Sequence, residues 1–354
     1  MRSLHFGSAM IDTITLIAPE NIEQATFSNG ARSFLMLEAG RKVPATGITS
    51  HVGGGACNTG VGLARRGWQP AVRAKVGDDI NAGAIRAHLA GHGVEDRLVG
   101  SDRATGVAVM IASHDRNASI FVHRGANETL SEADLQPASF AGRDLVMIGA
   151  LSGASAACFG PIARAARQAG ALVAANPGIR QLTGRRQEVM ATLPGVDLLS
   201  VNAVEAAALL PALVRGEAAA EAPPEGAPRL WASGLSNGDF TLGLLAFLAA
   251  LRAAGPRQVL VTDGTDGAYL AGPEGVFYQP SLEAVVAGTA GAGDAFTSTV
   301  AAALAEGLAP AIALAQAAAQ AAAVVGAVDT TSGLLTREAL ELASTRAKPA
   351  RQIA

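Results

Sequence analysis

Leu145-Val146-Met147-Ile148, Ala171-Leu172-Val173-Ala174, Asp197-Leu198-Leu199-Ser200-Val201 and Gln258-Val259-Leu260-Val261-Thr262 decide the architecture of this chain. Each is a short aliphatic run, and helical patterns such as 158–168 and 202–210 lie between them. Alternation of that kind predicts βαβ units and a mainly parallel sheet covered by helices on both faces, a doubly wound α/β core. Met1-Arg2-Ser3-Leu4-His5-Phe6 reads as a first strand that reaches Asp12, and it lacks the long apolar region and cleavage site of a signal peptide.

Two segments break the rhythm. Residues 26–50 and 106–123 carry strand patterns without crossover helices, the second turning at Ser113-His114-Asp115-Arg116-Asn117. They predict a small separate sheet, with strands within 13–52 and 104–124, that forms a flap over one edge of the core. Residues 215–238, rich in Ala, Pro, Glu and Gly, read as a mobile insertion, and 346–354 as a frayed tail.

Composition bounds the function. Of 354 residues, 49% are hydrophobic, 4% aromatic and 16% charged, enough apolar material for a large aliphatic core and too much for disorder. Length alone fits either two domains or one large α/β domain with an appendage and does not choose between them; a single domain over 1–354 is expected. With 27 Lys+Arg against 30 Asp+Glu and no long basic run, nucleic acid is not an expected partner. Cys57 and Cys158 have neither a disulfide framework nor zinc spacing, so reduced thiols and a cytoplasmic location are expected. The mean hydropathy of +0.29 comes largely from alanine. The most apolar stretch, 301–327, is interrupted by Glu306, Gly307, Pro310, Gln316 and Gln320, which predicts two packed helices and no membrane span.

The chemistry concentrates in Gly288-Thr289-Ala290-Gly291-Ala292-Gly293-Asp294-Ala295-Phe296, which runs into a strong helical pattern. Small residues before a helix leave backbone N–H groups uncovered, and the helix dipole favours an anion there. Asp294 at that helix start, kept ionised by the dipole, is placed to take a proton from a hydroxyl beside a bound phosphate. An ordinary N-cap Asp after a Gly turn fits the same letters. A second cluster, His51-Val52-Gly53-Gly54-Gly55-Ala56-Cys57-Asn58, leads into a helix ending near Arg66-Gly67. Its glycines permit close approach of backbone to ligand, and Asn58 offers a donor and an acceptor to hydroxyls. Taken alone, the cluster equally fits a strand-to-helix turn capped by Asn58, and Asp12 a strand-end turn residue.

Read in order from about Leu4 to about Gly333, these pieces resemble the ribokinase-like, phosphofructokinase B-type carbohydrate kinases. The resemblance rests on Gly53 through Gly67, on Val76-Gly77-Asp78-Asp79 with Gly83 and Gly93-Val94, and on Thr105-Gly106 through Gly125-Ala126-Asn127. Asn176-Pro177-Gly178, Asn202-Ala203-Val204-Glu205, Thr262-Asp263-Gly264 and Gly291-Ala292-Gly293-Asp294 follow in the family's order.

The resemblance implies a ribokinase-like fold with a β-sheet lid and ATP-dependent phosphorylation of a primary hydroxyl. Asp294 would be the catalytic base, with Gly291, Ala292 and Gly293 forming the anion hole with it. Asp12, Gly53, Gly54 and Asn58 would hold the sugar. Asn202, Glu205, Thr262, Gly264 and Thr289 would bind the nucleotide, and Glu205 would organise Mg²⁺ through water. A lid that closes would exclude water and limit idle hydrolysis, and its apolar face and free edges suit a homodimer.

Three departures qualify the pattern. Gly288 stands where an Asp that orders a monovalent cation is common, which leaves potassium activation open. Asp263 puts a carboxylate at the phosphate loop, and the insertion falls where adenine would be flanked, which leaves nucleotide preference open. Ribose or another furanose-type sugar is the leading substrate, because the flap's aromatic residues, Phe27, Phe34 and Phe121, offer no obvious stacking site for a nucleobase. A nucleoside, and then fructose or a keto-sugar acid, follow. A catalytically weak sugar or nucleotide sensor is the alternative from another class. A nicotinamide-dependent dehydrogenase does not fit, since no GxGxxG follows the first strand. Arg124 with Asn127 suits either an anionic substrate group or a lid-edge salt bridge, and His51 and His123 either the site or solvent. Cys57 reads as a packed residue.

Overall fold

The computed structural model describes residues 1–26, 33–112, 118–214 and 223–354. Their main sheet has ten strands, in the order Arg351–Gln352, Gly275–Gln279, Ala268–Gly272, Gln258–Thr262, Leu198–Asn202, Leu172–Ala175, Leu145–Ile148, Arg2–Phe6, Gln69–Arg73, Glu95–Asp96. Pairing is parallel from Gln258–Thr262 to Glu95–Asp96, and the remaining edge is antiparallel. All four residues of Leu145–Ile148 are buried, as a strand covered on both faces requires.

Helices make the covering layers. One layer contributes Phe159, Ile162, Leu209, Leu210 and Phe247, and the other Val300, Ala301, Leu314 and Ala317. Each fully buried large aliphatic side chain is worth about 1.5–3 kcal/mol against exposure. The alanine-rich stretch forms two packed helices, Ala292–Ala305 and Pro310–Val325, divided at Gly307. No helix among the described residues is long and apolar enough to cross a membrane. At the far end of this pair Glu306 accepts from Arg66 at 2.6 Å, Trp68 at 2.7 Å and Arg337 at 2.8 Å. Burial alone would raise its carboxyl, yet these donors hold it down to about 2.

A separate four-stranded sheet stands over the C-terminal edge of the parallel strands: Ala118–His123, Gly106–Ala112, Met10–Ile17, Ala45–Gly53. It is the expected flap, with one correction. The first strand does not run to Asp12. Arg2–Phe6 ends in the core, the chain turns through Gly7-Ser8-Ala9, and Asp12 lies inside the flap strand Met10–Ile17. Buried Asn127 clamps that turn, accepting from Ala9 N and donating to Ala9 O, both at 2.9 Å. A two-stranded ladder, Glu23–Thr26 with Ser33–Met36, extends the flap segment.

The expected turn at 113–117, Phe27, and 215–222 of the expected insertion lie outside the described residues. The rest of that insertion is built into the fold. Arg229–Ser233 is helical, Leu235–Ser236 pairs with Thr241–Leu242, and Leu230 and Leu235 join the core. The expected frayed tail is likewise pinned: Arg351 and Gln352 pair with Tyr278 and Phe277, and the Arg351 guanidinium sits 5.4 Å from the Tyr278 ring centre.

Candidate active site

Sequence places Asn58 and Asp294, each beside a glycine-rich turn, 236 residues apart, and the fold joins them through one hydrogen bond. Asn58 Nδ2 donates to Asp294 Oδ2 at 2.8 Å, while Asn58 Oδ1 accepts from Thr330 Oγ1 at 2.7 Å. Asn58 is buried on the helix Gly55–Arg65, so Thr330 fixes its amide and the amide aims the carboxylate. Asn58 thus gives its oxygen and one N–H to the protein, which leaves a single N–H for a ligand.

Asp294 occupies the first turn of the helix Ala292–Ala305. The backbone bonds of that helix begin with Ala295 N to Gly291 O at 2.9 Å, leaving the N–H groups of Ala292, Gly293 and Asp294 for an anion. Gly291 caps the helix at φ +80°, and a Cβ there would lie 2.8 Å from that of Thr330, so only glycine brings the cradle this near the Asn58 anchor. Gly293 has open space around it. Burial raises the Asp294 carboxyl above the usual range and the Asn58 amide opposes the shift. Desolvation therefore dominates, where the helix dipole alone predicts easy ionisation.

Asp12 faces the same space from the lid. It lines a cavity of about 150 Å³ with Ile14, His51, Ala108, Met110 and Ile120 of the lid and Val328, Asp329 and Thr330 of the core. A Cβ on Gly53 would fall 1.9 Å from Asp12 Oδ2, so the glycine is what lets the carboxylate lie against its backbone. Gly54 is the N-cap of Gly55–Arg65, its carbonyl accepting from Asn58 N at 2.9 Å. Burial pushes Asp12 up to about 6, His51 opposes this and the charge of Asp294 adds to it.

The residues expected at a nucleotide are carried at strand ends and the turns that follow them. Asn202 and Glu205 form a reciprocal cap: Asn202 Oδ1 accepts from Glu205 N and Glu205 Oε2 accepts from Asn202 N, both at 2.9 Å. The alternative of a helix cap is thus realised, and Glu205 Oε1 remains for a ligand. Burial raises Glu205, the Asn202 N–H lowers it, and Asp294 raises it further. Thr262 ends its strand, exposed Gly264 follows at φ +57°, and Thr289 is exposed. Asp263 does not stand as a bare charge at this loop: Arg229 binds it and also donates to Asp266 at 2.9 Å. A side chain on Gly288 would press on the Ala327 and Val328 carbonyls at 3.0 and 3.1 Å, which accounts for glycine here.

Asp12, Asp294 and Glu205 are electrically coupled. Among the described residues no three His, Cys, Asp or Glu side chains converge to cage a metal. Partly desolvated carboxylates beside uncovered amides fit a hydrated Mg²⁺ held mainly by phosphates. Thr330, Asp329 and Arg229 were missed from sequence. Thr330 and Asp329 belong to the polar run Asp329-Thr330-Thr331-Ser332 after an alanine helix, a turn signal with no chemical signature, and Arg229 lies next to the unusual Asp263 only in the fold.

An α/β core with an anion cradle, a positioned carboxylate and a β-lid defines a small-molecule kinase. A family model described as pfkB family carbohydrate kinase matches residues 30–337, and the chain belongs to that family. It is a carbohydrate kinase, a phosphotransferase. It is 28% identical over 249 residues to the ATP-dependent ribose-1-phosphate kinase of Halopiger xanaduensis, covering 70% of this chain and 71% of that protein. A carbohydrate kinase from Agrobacterium tumefaciens superposes with a TM-score of 0.73 at 23% identity, over 99% of both chains. Ribokinase from Cryptococcus neoformans, solved with ADP, superposes with a TM-score of 0.71 at 21% identity, over 96% of this chain and 98% of that one. The last two share the fold.

Proposed function

We propose that this chain transfers the γ-phosphoryl group of ATP to the primary hydroxyl of a furanose-type sugar, with ribose or a ribose derivative as acceptor. The observation that carries the reading is the Thr330–Asn58–Asp294 chain, which aims a carboxylate beside three uncovered helix N–H groups. Asp12 and the remaining Asn58 N–H hold sugar hydroxyls in the lid cavity, and Asp294 takes the proton as the hydroxyl oxygen attacks phosphorus. The N–H groups of Ala292, Gly293 and Asp294 stabilise charge on the transferred group. Asn202, Glu205, Thr262, Gly264 and Thr289 line the nucleotide side. Glu205 and the nucleotide phosphates would hold Mg²⁺ through water, and the ion would supply charge neutralisation.

The cavity lining favours a plain sugar over a nucleoside, because its lid contribution is mostly aliphatic, Ile14, Ala108, Met110 and Ile120, with no Phe, Tyr or Trp beside the His51 imidazole. The test is ADP release with ATP and Mg²⁺ across pentoses, ribose 1-phosphate, hexoses, keto-sugar acids and nucleosides. Release that depends on a pentose or its derivative is expected. Release with nucleosides alone, or ligand-induced thermal stabilisation without any ADP, would overturn the assignment.

A further inference from the structure

Two departures from the family's pattern, the carboxylate of Asp263 and the insertion before the helix Leu244–Ala253, meet in the fold through Arg229. Asp263 to Gly267 is a tight loop: Asp263 N donates to Gly267 O at 2.8 Å, and Asp266 N to Asp263 O at 3.0 Å. The loop holds two carboxylates, Asp263 and Asp266, and no cation of its own. The Asp263 side chain is 3% exposed, and its Oδ2 is buried with no hydrogen-bond partner among the described residues. A charge so placed is poorly screened by water and acts at longer range than a surface one.

Arg229 closes this loop from the insertion. Its Nη2 donates to Asp263 Oδ1, and its Nε donates to Asp266 Oδ2 at 2.9 Å. The residue is held in place by its neighbours: Ala232 N donates to Pro228 O at 2.9 Å, and Leu230 is buried in the core. The guanidinium is itself more than half exposed, so the buried partner is what gives the pair its weight. An exposed pair contributes little, whereas taking the cation from a buried carboxylate leaves that charge uncompensated. The loop follows the strand Gln258–Thr262, and Thr262 pairs with Asn202 one strand spacing of about 4.8 Å away. Glu205, reciprocally bonded to Asn202, feels the charge of Asp294 at the cradle. Nothing lies within 4 Å of where a Cβ on Gly264 would be, so the loop backbone is open to a ligand.

We infer that the two departures compensate each other: Arg229, supplied by the insertion, neutralises the buried Asp263 carboxylate and thereby sets the affinity for a polyphosphate nucleotide. Arg229 is a positioning residue, acting on the nucleotide through Asp263. The inference rests on the kinase reading, which brings nucleotide phosphates to Thr262 and Gly264, and makes the insertion a working part of that side of the site. The clasp of Arg229, Asp263 and Asp266 carries a formal charge of −1 in the parent, 0 in Asp263→Asn, −2 in Arg229→Gln and −1 in the double variant. ATP affinity should follow that order of charge, and AMP, with a single phosphate, should follow it weakly.

The test is calorimetric titration of the four chains with ATP and with AMP, in the presence of Mg²⁺ and without an acceptor. Burial raises the Asp263 carboxyl and Arg229 opposes the shift, so the titrations are run at pH 8 to keep it ionised. Arg229→Gln should weaken ATP about tenfold and AMP no more than twofold, and Asp263→Asn should tighten ATP about threefold. The double variant should return ATP to within about twofold of the parent, which the loss of a merely structural contact would not do. In turnover the change should fall on KM for ATP rather than on kcat. Thermal melting checks each chain, and if Arg229→Gln does not fold, Asp263→Asn and the double variant still carry the comparison. A weakening that the double variant retains overturns the inference and means that Arg229 touches the nucleotide itself. Equal weakening of ATP and AMP overturns it as a lost adenine contact. ATP binding by the parent with affinities indifferent to the clasp charge overturns the inference alone, whereas a parent that binds no ATP overturns the kinase reading and the inference with it.

Discussion

The cradle and the lid meet over the same cavity but are built from different materials. On the core side, Thr330, Asn58 and Asp294 form a chain of hydrogen bonds among buried or half-buried groups carried by a turn and two helices. On the lid side the cavity wall is mostly aliphatic, and the sheet exposes Ile48, Ile120 and Phe121. Polar groups tied to one another by hydrogen bonds hold one geometry, whereas an apolar sheet face joined to the core through a turn can approach and withdraw. On the proposed function, bond-making belongs to the core and acceptor choice to the lid.

Several experiments break or sharpen that division. Asp294→Asn keeps the shape and the Asn58 neighbour but removes the proposed base, so kcat should fall by about 10²–10⁴ with the melting temperature nearly unchanged. Thr330→Val frees the Asn58 amide to rotate, and a loss in kcat of about tenfold is expected, with KM for the acceptor changed less. Glu306→Gln acts on the core far from the chemistry. It leaves the buried Arg66 short of a counter-charge and should lower stability to denaturant by about 3 kcal/mol while kcat at low denaturant stays within about twofold. Ile120→Ser in the lid should raise acceptor KM severalfold and leave kcat near the parent value. A lid substitution that lowered kcat alone would break the division.

Most of the fold was legible in the sequence because parallel strands buried on both faces spell out continuous aliphatic runs, as Leu145–Ile148 does. The boundaries that misled have physical reasons. Arg2–Phe6 and Met10–Ile17 look like one strand because the turn between them is set by Asn127, a residue 118 positions away from Ala9. Residues 351–352 carry no strand pattern and join the sheet only because the Tyr278 edge is open to pairing. Residues 223–238 read as linker from their Pro and Gly content, yet Leu230 and Leu235 are buried. The site was legible as two glycine clusters and an aspartate. What joins them, Thr330 through Asn58, was not, because a threonine in a turn has no signature until the fold brings it near.

The titration of the site separates it from the rest of the core. Burial raises Asp12 from 3.8 to about 6, so its ionised form is lost as pH falls through about 6, and protonation in that window favours the native state. Glu306 runs the other way: its contribution to stability is present above 4.5 and lost as pH falls toward 2. Activity should therefore fail well before the fold does. The most direct test of a desolvated carboxylate pair at the centre of catalysis is the pH dependence of kcat/KM in the parent, with circular dichroism at each pH. An acid limb with its midpoint at or above about 6, on a protein still folded at pH 5, is the predicted result. A rate that stays constant down to pH 4.5 would contradict it.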